Sequence, residues 1–193
     1  MCGIFAYAGT ENAAPLLIDG LRAVEYRGYD SAGISVIDSS GAIKTVKRGD
    51  HKASLGNLSS EVSGGELAGV VGIGHTRWAT HGLVNQQNSH PHESISGVVS
   101  IAHNGIIENF IELKDELVDT GVQFKSETDS EVLAHLVEHS VASGTSLREA
   151  VIGASSRIKG NTAVVAVSTA EPDIVVGLRI GNAGGIVVGK NDH

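Results

Sequence analysis

One cysteine occurs in the 193 residues, and it is the second residue. It lies in the run Met1-Cys2-Gly3-Ile4-Phe5-Ala6-Tyr7. Cys is small enough for Met1 to be removed after synthesis, which would leave a thiol and a free α-amino group on one residue. A thiolate is a strong nucleophile, and an α-amino group with a pKa of about 7.7–8 is a base matched to neutral pH. A single N-terminal residue can in this way supply both nucleophile and base. The competing reading of Cys2 is a small buried hydrophobe at the start of a strand.

Other side chains suited to chemistry cluster where predicted strands end, which is where sites are usually built. Arg77 follows the run Val70 to His75 and sits among Thr76, Trp78, Thr80 and His81. A guanidinium there could hold a carboxylate bidentately, or it could be a solvated loop arginine. Asn104-Gly105 follows Val98 to Ala102. The Asn NH₂ and the Gly N–H could aim two donors at one point, as an oxyanion hole requires, or the dipeptide could be a turn. Asp129, at the mouth of a predicted helix, could pair with an ammonium or only complement the helix dipole. Arg27 could brace a site or lie on the surface. Nine histidines raise the question of a metal, with His90-Pro91-His92 as an H-x-H pair and His75, His81 and His103 near strand ends. No C-x-x-C, H-E-x-x-H, Walker A or G-x-G-x-x-G pattern accompanies them, so neither a metal nor a cofactor is expected.

The bulk properties set limits on partners. A net charge of −8 argues against a nucleic-acid or anionic-membrane surface. A single cysteine implies no internal disulfide and a reducing compartment. The chain contains no signal-peptide pattern and no apolar run near 18 residues, so a cytoplasmic location is expected.

The elements that must position these side chains follow from periodicity. Gly3 to Gly9 reads as a strand. Leu17, Leu21 and Val24 mark a helix over about Ala14 to Glu25, ended by Gly28. Ala32 to Asp38 and Ile43 to Arg48 form a hairpin. A weak helix is predicted around Ala53 to Leu58, and a strand over Val70 to His75. Val98 to Ala102 is a strand stopping at His103-Asn104-Gly105. Phe110, Leu113 and Leu117 mark a helix ended by Gly121. Thr128-x-x-Glu131 and Ser146-x-x-Glu149 are capping-box patterns, opening helices that run through Ser140 and to about Ile158. Thr162 to Ser168, Ile174 to Ile180 and Gly185 to Gly189 are β-rich, with Gly181 to Gly185 read as a turn between strands. The order strands, helices, strands, with hairpin-length connections, predicts one α+β domain of mostly antiparallel sheet.

Six fragments together resemble a known family. They are Cys2-Gly3-Ile4, the stretch Glu25 to Gly33 (EYRGYDSAG), His75 to Gly82 (HTRWATHG), His90-Pro91-His92, His103 to Asn109 (HNGIIEN) and Ser126 to Val132 (SETDSEV). In that order they resemble the glutaminase domain of the glucosamine-6-phosphate synthases (glutamine:fructose-6-phosphate amidotransferases), class II glutamine amidotransferases. The second and third stretches resemble this hexosamine branch more than the phosphoribosylpyrophosphate amidotransferases.

The resemblance covers nearly the whole chain and implies a four-layer αββα sandwich of the N-terminal-nucleophile hydrolase class. It implies that Cys2 attacks the side-chain amide of L-glutamine, aided by its own α-amino group. Asn104 and Gly105 would form the oxyanion hole, Arg77 would hold the α-carboxylate and Asp129 the α-ammonium. Trp78, Thr80 and His81 would line the pocket, and Arg27 would brace Asn104. Ala183-Gly184-Gly185 departs from the family's Ser-Pro-Leu. The family's domain continues beyond the equivalent of His193 into two sugar-phosphate isomerase domains. A C-terminally incomplete domain spanning 1–193 is therefore expected, possessing at most a glutaminase activity, with its last strands and the isomerase partners absent and a homo-oligomer formed only at full length. The alternatives are the glutaminase half of another class II amidotransferase, or an inactive binding fragment if Met1 is retained.

Overall fold

The computed structural model describes residues 2–65, 67–79 and 83–190. Two four-stranded sheets face each other. The first contains β1 (Gly3–Ala8), β2 (Ser31–Ile37), β3 (Ile43–Arg48) and β4 (Val71–Arg77), in the order β1-β4-β2-β3. The second contains β5 (His92–Glu93), β6 (Val99–Gly105), β7 (Thr162–Ser168) and β8 (Glu171–Ile180), in the order β5-β6-β7-β8. Every pairing is antiparallel. Helices α1 (Ala13–Val24) and α2 (Ser54–Val62) cover the first sheet, and α3 (Phe110–Asp119), α4 (Glu131–Ala142) and α5 (Leu147–Arg157) cover the second.

The two-residue period of the strands explains the four layers. On β2, Ala32, Ile34 and Val36 join Leu17, Leu21, Leu55 and Leu58 in the core under α1 and α2. On β6, Val99 and Ile101 join Leu133, Leu136, Leu147 and Val151 under α4 and α5. The alternate positions point into the space between the sheets, where Ile37, Val71, Ile73, Ala102 and Val167 form a third core. Ser35 on β2 and Ser100 on β6 also meet there, their hydroxyls 2.8 Å apart. On β4 the helix-facing positions include Gly72 and Gly74. A Cβ on Gly72 would lie 2.9 Å from Leu17 Cδ1 and one on Gly74 3.1 Å from Leu21 Cδ1, so α1 can sit close on this strand only because both are glycine.

The predicted αββα sandwich is the fold observed. Several boundaries differ, and four of the differences bear on function. Arg77 is the last residue of β4, paired with Ser31, and not a loop residue. β6 runs through His103, Asn104 and Gly105, so Asn104-Gly105 is a strand end and not a turn. Gly105 has φ 140°, and a Cβ there would lie 2.0 Å from the Asn161 carbonyl oxygen. The Thr128-x-x-Glu131 pattern is not a capping box. Ser130 is the N-cap of α4 without a side-chain cap bond, and the Glu131 carboxylate turns back to accept from Lys125 N, Ser126 N and Ser126 Oγ at 2.8, 2.7 and 2.6 Å. Gly185 to Gly189 forms no strand; Val187 and Val188 there are exposed, and Gly181 to Gly185 is therefore no inter-strand turn. By contrast, Ser146 does cap α5, accepting from Glu149 N.

Candidate active site

Three strand ends converge at one edge of the sandwich. The β1/β4 register pairs Gly3 with Thr76, which brings the preceding Cys2 beside Trp78. The Trp78 backbone N–H donates to Cys2 Sγ at 3.2 Å. Cys2 Sγ also donates to the Trp78 carbonyl oxygen at 3.7 Å, so the Trp78 main chain fixes the position of the sulfur. From the opposite sheet, Asn104 Nδ2 donates to the Cys2 carbonyl oxygen at 3.2 Å, and Arg27 Nε donates to the same oxygen at 3.3 Å. Arg27 thus meets Asn104 through a shared acceptor. A cavity of about 390 Å³ opens over these groups, within the range of ligand pockets, about 300–1,000 Å³. Its walls include Cys2, Arg77, Trp78, Asn104, Gly105 and Asp129.

The cavity has a cationic and an anionic side chain in its wall. Arg77 is buried, and its Nη1 donates to the Leu83 carbonyl at 3.4 Å. Burial pushes its guanidinium below the ordinary value, offset by the nearby Cys2, Asp30 and Asp129. Asp129 Oδ2 accepts from Ile107 N at 2.7 Å, and Oδ1 accepts from Ser130 Oγ at 3.3 Å. Each carboxylate oxygen keeps a further acceptor site for an ammonium. Ser130 Oγ, having given its proton to Asp129, accepts from His103 Nδ1 at 2.8 Å. His103 is buried, and burial pushes it down to about 4 despite the nearby Asp129 carboxylate.

The structure places Cys2, Arg27, Arg77, Trp78, Asn104, Gly105 and Asp129 at this cavity. Thr80 and His81 lie outside the described residues. Four features were missed in the sequence. The Trp78 contribution to Cys2 is its backbone N–H, which no side-chain pattern reveals. His75 bonds Asn104 directly, and His103 is linked to Asp129 through Ser130 Oγ. Glu131 and Asn88 anchor the segment that carries Asp129, with Asn88 Oδ1 accepting from Glu127 N at 2.9 Å. Asn182, Ala183 and Gly184 form part of the cavity wall. His75 and His103 each directly precede or begin a motif, which was the available signal. Among the described residues no group of three or more His, Cys, Asp or Glu is arranged to hold a metal ion.

A family model described as a glutamine amidotransferase domain matches residues 50–154, more than half of the chain. The chain belongs to this family. This glutamine amidotransferase domain is 48% identical over 179 residues to a glutamine–fructose-6-phosphate aminotransferase (isomerizing) of Clostridium tetani, covering 93% of the chain and 28% of that relative. It is 46% identical over 197 residues to the enzyme of the same name from Chlorobaculum tepidum, covering 100% of the chain and 31% of the relative. The domain therefore spans less than a third of the length of these relatives. Among solved structures it resembles the glutamine phosphoribosylpyrophosphate amidotransferase of B. subtilis, with a TM-score of 0.70 at 27% identity, covering 88% of this chain and 35% of that one. The four-layer sandwich is thus shared with an amidotransferase of another branch.

Proposed function

We propose that this domain hydrolyses L-glutamine to glutamate and ammonia through a γ-glutamyl thioester on Cys2. It would be the ammonia-supplying half of a glutamine–fructose-6-phosphate aminotransferase. The observation that carries the reading is the convergence of Cys2, Asn104, Gly105, Arg77 and Asp129 on one cavity. Arg77 pairs with the substrate α-carboxylate and Asp129 with its α-ammonium, an arrangement that selects a free amino acid over a glutamine inside a peptide. By resemblance to the family, Trp78, Thr80 and His81 would bind the substrate with them, and Arg27 supports the Cys2 main chain.

With Met1 removed, the α-amino group of Cys2 takes the thiol proton and Sγ attacks the substrate carboxamide carbon. The negative charge that develops on the carboxamide oxygen is met by Asn104 Nδ2–H and Gly105 N–H. Collapse breaks the C–N bond, and the Cys2 ammonium gives its proton to the departing ammonia. Water then attacks the thioester with the same amine as base, a second oxyanion forms in the same place, and glutamate leaves as the thiol is restored. Two further parts of the proposal rest on the resemblance to the family. One is delivery of the ammonia to fructose 6-phosphate by downstream sugar-phosphate isomerase domains. The other is homo-oligomer formation by the full-length protein. A glutaminase domain over 1–193 and a cytoplasmic setting are further parts of the proposal.

The test is ammonia release from L-glutamine by the Met1-processed chain, compared with Cys2→Ala. Equal rates would remove the nucleophile and with it the reading. The N-terminal mass of the sample belongs to the same experiment, because a retained Met1 turns the Cys2 nitrogen into a non-basic amide.

A further inference from the structure

Asn104 cannot orient itself. The terminal torsion of an Asn side chain is broad and roughly two-fold, so a free carboxamide presents its oxygen and its nitrogen almost equally well. Only the nitrogen helps an oxyanion. We propose that His75 is the positioning residue for the oxyanion donor, its Nε2–H holding Asn104 Oδ1 so that the NH₂ group faces the Cys2 side of the cavity. The inference rests on the glutaminase reading for its catalytic consequence, but its geometry is independent of that reading.

The donor and acceptor logic runs in one direction. The Cys2 carbonyl oxygen can only accept, and it lies 3.2 Å from Asn104 Nδ2. Asn104 Oδ1 therefore points the other way, to His75 Nε2 at 3.0 Å, and needs a donor there. His75 must carry its proton on Nε2. The opposite tautomer would leave Nε2 an acceptor facing the Asn104 Oδ1 acceptor at 3.0 Å, so two lone pairs would meet there. The ring plane is set by stacking on His90, with centroids 4.2 Å apart and planes inclined at 29°. His75 is 1% exposed, and burial pushes it down to about 3, so it stays neutral across the physiological range. If the Asn104 amide flipped, two acceptor oxygens would face each other and a carbonyl would point where the oxyanion forms.

The experiment compares His75→Leu, His75→Gln, Asn104→Ala and the His75→Leu/Asn104→Ala double variant in the Met1-processed chain. Leu removes the donor at similar volume, whereas the Gln amide can still donate from about the Nε2 position. His75→Leu is expected to lower kcat by about 10- to 100-fold with KM within about 3-fold, less than the roughly 10²–10³ of deleting the donor itself. His75→Gln should recover most of kcat. In the Asn104→Ala background the His75→Leu change should have no further effect on kcat, since it acts only through Asn104. A loss that persists undiminished in that background, or that falls on KM, would overturn the assignment. ¹⁵N spectra of the imidazole rings of the unmutated chain decide the hydrogen bond even where a variant fails to fold. The Nε2–H tautomer is expected, and an Nδ1–H tautomer overturns the proposal. An unmutated chain that releases no ammonia from glutamine would instead count against the glutaminase reading, with the tautomer still deciding the role of His75.

Discussion

At the scale of single residues, the proposed reaction separates the site into groups that would act on developing charge and groups that would hold the ground state. Asn104 belongs to the first. Its Nδ2 is held between Cys2 O and the cavity, so Asn104→Ala should reduce kcat by about 10²–10³ with a smaller change in KM. Steady-state ammonia release measures both; a change confined to KM would contradict the oxyanion role. Arg77 belongs to the second. It ends β4 buried in the cavity wall, and Arg77→Ala should raise the KM for glutamine far more than it lowers kcat. An unchanged KM would show that the α-carboxylate is bound elsewhere.

At the scale of elements, the segment before α4 matters as much as the helix. Glu131 opens α4 but spends its carboxylate on Lys125 N, Ser126 N and Ser126 Oγ, and His135 Nε2 lies 3.4 Å away. Those bonds hold Glu131 down to about 2 against the opposing effect of its burial. They also fold residues 125 to 130 into the shape that presents Asp129. Glu131→Gln keeps one acceptor oxygen and turns a buried NH₂ toward backbone donors. It should cost about 2–4 kcal/mol of stability, since bonds to a charged group contribute about 1.5–3 kcal/mol each. Thermal melting should show the loss, and the KM for glutamine should rise in the same variant through displacement of Asp129. A KM unchanged in a destabilised variant would separate α4 from substrate capture.

At the scale of the whole molecule, four buried imidazoles, His75, His90, His92 and His103, lie in the interior near the site. His75 stacks on His90, and His90 meets His92 edge-on at 4.5 Å. Burial pushes His75 to about 3, His103 to about 4, and His90 and His92 well below the ordinary 6.5. These groups titrate at 6.5 in the unfolded chain and much lower in the folded one, so below pH 6.5 the unfolded chain binds more protons. Stability is then fully present above about pH 6.5 and is lost as pH falls toward 3, at about 1.4 kcal/mol per pH unit for each proton taken up on unfolding. Glu131 adds a loss of the same sign between its ordinary 4.5 and about 2. Melting temperatures measured from pH 8 to pH 4 should therefore decline below 6.5; a flat profile from pH 7 to pH 5 would mean that the histidines are not buried as neutral rings.

What the sequence determined by itself was the set of candidate reacting groups and an antiparallel α+β plan. Cys2 is placed by its position in the chain, and Arg77, Asn104-Gly105 and Asp129 by the ordered motifs that hold them. The β-rich runs, the helical spacing of Leu17 and Leu21, and the order strands, helices, strands with hairpin-length connections were enough to predict antiparallel sheet with segregated helices, the four layers following from the family resemblance. These properties are local, set by residue type and by periods of two and 3.6. The tertiary structure decided the rest, because it depends on contacts between residues far apart in the chain. Asn-Gly is a strong turn signal, yet Asn104-Gly105 extends β6 because pairing with Ala163 and Thr162 on β7 outweighs the local preference. Glu131 abandons the capping box because unpaired backbone donors five and six residues earlier lie within its reach. His75, 29 positions from Asn104, becomes its orienting partner only when the sheets face each other. The thiol of Cys2 is likewise a property of the first residues, but the donor on its sulfur comes from a main-chain N–H 76 positions away.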